Sequence, residues 1–145
     1  MKFYKGNIVP DPFTIFVFGS NPEGRHGAGA AKTAYDLFGA EYGVGEGLTG
    51  HSYAIPTKDL RVKANNGYRS ISEDRIIESI KKMYDCARAN PMYRFMIAYR
   101  NTYQRSLNGY TGIEMINMFL KAGEIPDNIW VSEEWYNTGM FNKYF

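Results

Sequence analysis

Three side chains near the N-terminus have the residue types that hydrolysis of a phosphate or an ester requires. They are Asn21, Arg25 and His26. An imidazole titrates near neutrality, which makes His26 a candidate general acid or base, and the planar guanidinium of Arg25 suits bidentate contact with phosphate. The Asn21 amide could orient an attacking water. Plainer roles stay open, because a histidine in such a loop is often solvent-exposed or bonded to backbone, and asparagine commonly caps a turn.

These side chains lie in a segment that joins a strand to a helix. Residues 14–18 form a continuous β-branched and aromatic run, which predicts a strand buried on both faces and ending at Gly19. The helix that follows has a predicted apolar face of Ala31, Ala34, Tyr35 and Phe38. The small residues of the junction are Gly27, Ala28, Gly29 and Ala30. The first N–H groups of a helix have no internal partner and carry partial positive charge, so this junction predicts an anion site, although a tight turn of small residues would have the same sequence.

Length and composition restrict the class of protein. A chain of 145 residues is expected to form one domain, residues 1–145, and its net charge of +2 gives no general attraction to nucleic acid. No apolar run reaches membrane-spanning length and no signal-peptide pattern is present, so a cytoplasmic protein without a membrane partner is expected. Cys86 has no second cysteine, and His26 and His51 lack a metal-ligand spacing. No disulfide, metal or cofactor is therefore predicted.

Strands alternate with helices along the rest of the chain. The predicted strands are 2–4, lying beside 14–18, then 52–55, 95–99 and 128–131, and the predicted helices after the first begin at the N-caps Ser72 and Thr111. The glycine-rich stretch 39–50 predicts neither a helix nor a strand. This order predicts an α/β fold, a single-domain three-layer α/β/α sandwich with a mostly parallel or mixed central sheet.

In such sheets ligands bind outside the carboxyl ends of the strands. The two loop-to-helix junctions, at Gly27 and Gly112, are therefore expected on one rim, where they could hold one ligand from two sides. Other polar side chains expected near this rim, each of which could equally be solvated, are Glu46, His51, Lys58, Asp59, Arg100 and Arg105.

Three segments resemble the macro domain, the ADP-ribose-binding α/β/α module, and more narrowly the small macro-like proteins of bacteria and tailed phages. They are residues 18–21, 24–32 and 52–59. The resemblance implies that Asn7 and Ile8 contact adenine, since they stand where the family has an Asp-Ile pair whose acid accepts from the adenine amino group. It likewise implies that Asn21, with Gly19 and Ser20 before it, reaches the distal ribose.

The resemblance also implies two phosphate loops. Residues 27–31 are similar to the glycine loop that wraps the distal ribose and the neighbouring phosphate. The second loop would be Gly109, Tyr110, Thr111 and Gly112, with an aromatic residue between glycines ahead of a helix. The implied partner is ADP-ribose or a related nucleotide, free or on an ADP-ribosylated target.

Two departures from the family bear on catalysis. The aspartate that hydrolytic members often carry in the glycine loop is absent, because the loop reads Ala-Gly-Ala-Ala, and the paired glutamates of the glycohydrolase branch are not seen. The resemblance therefore implies binding of ADP-ribose, with possible hydrolysis at the distal ribose that would remove a terminal phosphate or release ADP-ribose from a target. The alternative is a non-catalytic protein that reads or sequesters ADP-ribose. A single-stranded nucleic-acid-binding protein that uses the tyrosines and arginines of residues 99–110 is a third, less favoured class.

Overall fold

The structure is a computed structural model that describes residues 1–145, and it is an α/β fold around one six-stranded sheet. The strands are β1 (Lys2–Tyr4), β2 (Thr14–Ser20), β3 (Gly47–Thr49), β4 (Ser52–Pro56), β5 (Arg94–Ile97) and β6 (Ile129–Ser132). The α-helices are α1 (Gly29–Leu37), α2 (Glu73–Ala89), α3 (Gly112–Lys121) and α4 (Glu133–Tyr136). Short 3₁₀ turns lie at Ala64–Gly67 and Asn142–Tyr144.

The sheet is mixed, with the strand order β1-β6-β5-β2-β4-β3, and only β3 runs antiparallel to its neighbour. Alternate residues of β2 enter two separate cores, because side chains alternate across a strand. Ile15 and Val17 pack with α2 and α3, while Phe16 and Phe18 pack with α1. Helices thus cover both faces of the sheet, an arrangement compatible with the predicted α/β/α sandwich.

The helix boundaries follow the capping signals in the sequence. Ser72 caps α2 by accepting a hydrogen bond from the Arg75 amide, and the helix ends at Ala89, before Asn90 and Pro91. Thr111 and Glu114 form a complete capping box at the start of α3. Both predicted starts are confirmed.

Four predictions about the elements are wrong. Strand β1 pairs with β6, and two strands separate it from β2. Part of the glycine-rich stretch does form a strand, β3, at the sheet edge. Tyr35 lies on the outer side of α1 and is half exposed, whereas Ala31, Ala34 and Phe38 are buried as expected. The predicted strand 95–99 ends at Ile97, so Tyr99 belongs to the loop that follows β5.

The five parallel strands lie side by side as β1-β6-β5-β2-β4, so their carboxyl ends share one edge. The residues that leave this edge are 21–28 after β2, 57–60 after β4 and 98–108 after β5. These three loops form the walls of the candidate site described next.

Candidate functional site

A cavity of about 740 Å³ opens at the carboxyl edge of the sheet, between the loops that follow β2, β4 and β5. This volume lies within the usual range of small-molecule sites. Seven of the residues predicted to bind ligand or act in catalysis line it: Gly19, Ser20, Asn21, Arg25, Gly27, Ala28 and Ala30. The rim that the parallel strands predicted is therefore where the cavity lies.

The N-terminus of α1 opens into this cavity without a cap. Ala28 occupies the N-cap position in an extended conformation, has no side chain that could accept a hydrogen bond, and the first turn contains no acidic residue. The backbone N–H groups of Gly29, Ala30 and Ala31 have no acceptor within the protein. Residues 27–30 are also exposed to solvent. The predicted anion site at this junction thus has free donors and room for a ligand.

Asn21 shapes the loop ahead of these amides. Its Nδ2 donates to the Arg25 carbonyl oxygen at 2.9 Å, and its Oδ1 accepts from the Arg25 amide at 2.9 Å. Both ends of the side-chain amide are therefore engaged inside the loop, which is the turn-capping role left open above. Asn21 lines the cavity, but in this geometry it mainly positions backbone, and only the second Nδ2 hydrogen is left to donate to a ligand.

The glycine-rich stretch supports the same loop from behind. The amide of Gly43 donates to the Gly24 carbonyl oxygen at 2.8 Å. A Cβ at Gly45 would overlap the Asn21 carbonyl oxygen, and a Cβ at Gly24 would overlap the backbone of Gly43. These glycines are required because two backbone segments touch here, so the stretch is shaped around the loop of the site.

His26 is buried and lies outside the cavity lining. Its Nε2 donates to the Glu41 carbonyl oxygen at 2.9 Å, and its ring packs edge-on against Phe18 and Tyr42. Its Nδ1 has no hydrogen-bond partner. The structure therefore does not bring this predicted acid or base to the ligand cavity, and His26 instead links the β2 loop to the segment that supports it.

The predicted second phosphate loop is closed. The Thr111 amide donates to Glu114 Oε1 at 2.9 Å, the Gly112 amide to the Gln104 carbonyl at 3.3 Å and the Ile113 amide to the Thr102 carbonyl at 2.8 Å. A Cβ at Gly112 would overlap the Asn101 carbonyl oxygen, so no phosphate can approach. None of the residues 109–112 lines the cavity. The expectation of two open helix N-termini on one rim holds for α1 and fails for α3.

The predicted adenine contacts also lie elsewhere. Asn7 is exposed and Ile8 packs against the small core under α1, and neither lines the cavity. The apolar lining is supplied instead by Tyr42, Leu60 and Leu107. Leu107 also lies close to Gly29, so the β5 loop reaches across to the start of α1.

A hydroxyl cluster lies on the cavity wall below the loops. The Tyr99 hydroxyl lies 3.0 Å from Thr57 Oγ1 and 3.4 Å from Asn108 Nδ2. An amide nitrogen only donates, so Tyr99 accepts from Asn108, while either hydroxyl can donate in the contact between Tyr99 and Thr57. Burial raises the pKa of Tyr99 to about 12, so the phenol stays protonated and cannot serve as a base.

The charged groups of the lining are all cations. They are Arg25, Lys58 and Arg100, and no Asp, Glu, His or Cys lines the cavity. Arg25 pairs with Glu23 at 3.2 Å and Arg100 with Glu134 at 2.8 Å, both outside the lining. Lys58 has no carboxylate partner, and its ammonium lies 5.9 Å from the centre of the Tyr68 ring. The cavity therefore favours an anionic ligand and lacks an evident general base.

The other polar candidates from the sequence lie outside the lining. Glu46 is within 4.0 Å of Lys82, and His51 is exposed beside Tyr93. Asp59 is held by Arg61, and the Arg105 guanidinium lies 5.1 Å from the Tyr68 ring.

Sequence analysis missed Thr57 and Asn108 and gave Tyr99 no ligand role of its own. The signal was available for two of them, because Thr57 directly follows β4 and Tyr99 follows β5, where parallel-sheet ligands bind. Asn108 carries no such signal, since its place depends on how the β5 loop folds back over Tyr68.

Comparisons with known protein families, with curated proteins and with solved structures found no match. No helix of the structure is both long enough and apolar enough to cross a membrane. What the fold and the site define is an α/β protein with an anion-favouring ligand cavity at the carboxyl edge of a mostly parallel sheet.

Proposed function

We propose that the protein binds ADP-ribose or a closely related nucleotide diphosphate in this cavity, as a macro-type binding module. The observation that carries the proposal is the uncapped start of α1, which opens into a cavity lined by cations and by no carboxylate. A pyrophosphate is the part of such a ligand that these donors suit best, because helix N-termini stabilise phosphate through free amides and partial charge. The resemblance of residues 18–32 to macro domains supports the same ligand.

The rest of the ligand would lie along the walls. Tyr42, Leu60 and Leu107 offer apolar surface for a base or a sugar face, and the Thr57 hydroxyl offers a hydrogen-bonding group for a sugar or phosphate. Lys58 lines the cavity without a carboxylate partner, so it is available to a phosphate. The orientation differs from the one that the resemblance implies, because Asn7 and Ile8 do not line the cavity.

Binding without turnover is the form of this function that the lining supports better. Ester or phosphate hydrolysis needs a group that activates water, and the cavity wall offers no carboxylate or imidazole for that purpose. Asp59, which follows β4, is occupied by the Arg61 guanidinium through two bonds of 2.9 Å. A reader or sequestering protein for an ADP-ribose signal, free or on a modified target, fits these contacts.

Isothermal calorimetry with ADP-ribose tests the proposal. We expect heat at micromolar to millimolar ligand for ADP-ribose, weaker binding of ADP, and none for adenosine, which lacks the anion. Lys58→Gln should weaken binding, and the exposed Lys121→Gln outside the cavity is its control. No heat at millimolar ADP-ribose would reject the proposal. Release of phosphate from ADP-ribose 1″-phosphate, or of ADP-ribose from a modified protein, would favour the hydrolase alternative.

A further inference from the structure

A second cavity, of about 690 Å³, adjoins the first. It lies between residues 23–25 and residues 58–66, and three residues line both cavities: Arg25, Lys58 and Leu60. The two cavities therefore adjoin at these residues, and a ligand that extends past Lys58 would reach the second one. We call this second cavity the basic groove.

Positive charge dominates the basic groove. Arg25, Lys58, Arg61 and Lys63 line it, against one carboxylate, Glu23. Glu23 is shared between Arg25 at 3.2 Å and Arg61 at 3.8 Å. Lys63 forms no ion pair, and Lys58 likewise meets no carboxylate. Two ammonium groups are thus left without a counter-charge along one path.

Lys58 is held in place by an unusual turn. Asn65, Asn66 and Gly67 all have positive φ values, of 50°, 59° and 71°. A Cβ added at Gly67 would lie 3.1 Å from Lys58 Cε, so the stem of the lysine packs directly on this turn. Non-glycine residues adopt this conformation at a cost, which surrounding structure must offset. The turn supports one of the two cations that the cavities share, and Arg25 is the other.

We infer that the basic groove is a second anion subsite, which binds a phosphate group carried by the nucleotide in addition to its pyrophosphate. The inference rests on the proposed function for the main cavity and extends it to the substrate class. A phosphate is favoured over a carboxylate because its several oxygens can accept from guanidinium, ammonium and the Asn66 amide together. The additional phosphate belongs either to a free phosphorylated nucleotide or to a phosphodiester chain.

Calorimetry at low ionic strength with three ligands tests the inference: ADP-ribose, its 2′-phosphate and its 1″-phosphate. We expect at least one phosphorylated form to bind about five- to tenfold more tightly than ADP-ribose, with a steeper loss on added salt, because exposed charges are screened. Lys63→Gln should remove this gain and leave ADP-ribose itself unaffected. Lys121→Gln is the matched control and should keep the gain.

Displacement of ADP-ribose by a short single-stranded oligonucleotide distinguishes the two sources of the phosphate. If the oligonucleotide displaces ADP-ribose and Lys63→Gln weakens this displacement, the groove binds a phosphodiester chain. If a phosphorylated ADP-ribose binds more tightly instead, the groove binds a free nucleotide. Equal affinity for all three nucleotides, without Lys63-dependent displacement, would overturn the inference and leave the proposed function standing. A gain that survives Lys63→Gln would overturn it as well.

Failure of the proposed function is seen separately. If ADP-ribose does not bind the natural protein, a titration with inorganic pyrophosphate followed by backbone amide NMR decides the groove on its own. Shifts at Arg61 and Lys63 that Lys63→Gln abolishes support the subsite. Unchanged resonances at both residues overturn it.

Discussion

A cap introduced at the start of α1 should stabilise the fold and weaken the ligand. Ala28 already has the extended backbone of an N-cap residue, with φ −154° and ψ 160°, so Ala28→Asp needs no rearrangement. The new carboxylate would accept hydrogen bonds from the amides that are now free and would meet the positive end of the helix. In the same position it would occupy the donors that we assign to the pyrophosphate.

The two effects have opposite signs and can be sized. A cap contributes about 0.5–2 kcal/mol of unfolding free energy, which for a chain of this length raises Tm by roughly 1–8 °C. Hydrogen bonds to a charged group contribute about 1.5–3 kcal/mol each, and tenfold in affinity corresponds to about 1.4 kcal/mol, so affinity for ADP-ribose should fall about 10- to 100-fold. Ala28→Ser should give a similar gain in stability and a smaller loss of affinity, since it adds no charge.

Thermal unfolding followed by circular dichroism and calorimetry with ADP-ribose measure the two effects. Thr111→Ala is the mirror-image control, because it opens the cap of α3, which lies outside the cavity. It should lower the unfolding free energy by about 0.5–2 kcal/mol and leave affinity unchanged. If Ala28→Asp raised Tm while ADP-ribose bound as before, the phosphate would not lie at α1 and the assignment would be refuted.

Four further substitutions probe the cavity, the loop behind it and the closed helix. Tyr99→Phe leaves two polar partners without the shared hydroxyl, so unfolding free energy should drop by about 1–3 kcal/mol in denaturant titrations and ADP-ribose should bind several-fold more weakly. Gly45→Ala forces a Cβ against the Asn21 carbonyl oxygen and should cost about 1–3 kcal/mol together with affinity, whereas Gly27→Ala, whose Cβ meets no atom, should unfold like the natural protein. Partial burial raises the pKa of Glu114, but the hydrogen bonds that it accepts outweigh this and hold the pKa below its usual value. The stability that it supplies is present above its unfolded-state pKa of about 4.5 and is lost as pH falls further, so Glu114→Gln should flatten this acid limb in unfolding curves.

The parts of the fold that could be predicted are those that local physics decides. Ser72 and Thr111 carry side chains that bond their own helices, so their helices begin where the sequence indicates. The apolar run of β2 predicts a strand between two cores because both faces are apolar, and both cores exist. The rim of the site follows from parallel strands alone.

The place of β1 in the sheet could not be predicted in the same way. A three-residue strand carries little pairing information, and proximity in sequence favoured β2 as its neighbour. The strand is held at the other side of the sheet by contacts from the far end of the chain: Phe3 stacks on Tyr136, with ring centres 4.2 Å apart. Tertiary packing therefore decided a position that no local pattern specified.

The backbone part of the candidate site could be predicted from the sequence, whereas the roles of its side chains could not. Residues 27–30 are exposed small residues at a helix start, and their role follows from the open amides. His26 and Asn21 were assigned by their chemistry, yet one is bonded to the Glu41 carbonyl and the other to Arg25. The His26 bond depends on how the glycine-rich stretch packs behind the loop, which the sequence leaves open, whereas the Asn21 bonds form the local turn cap that the sequence offered as an alternative.

The contrast between α1 and α3 is the strongest reason to place a ligand at α1. Both helices begin on loops from the same edge of the sheet, but α3 satisfies its first amides with Thr111, Glu114 and loop carbonyls, and α1 begins with an alanine and no acidic residue. Ala28 at the N-cap forgoes roughly 1 kcal/mol that a serine or aspartate would supply. The chain follows the N-cap preference at α3 and departs from it at α1. Departures from such local preferences occur mostly at functional sites. A bound phosphate would supply to α1 the hydrogen bonds that its own sequence withholds.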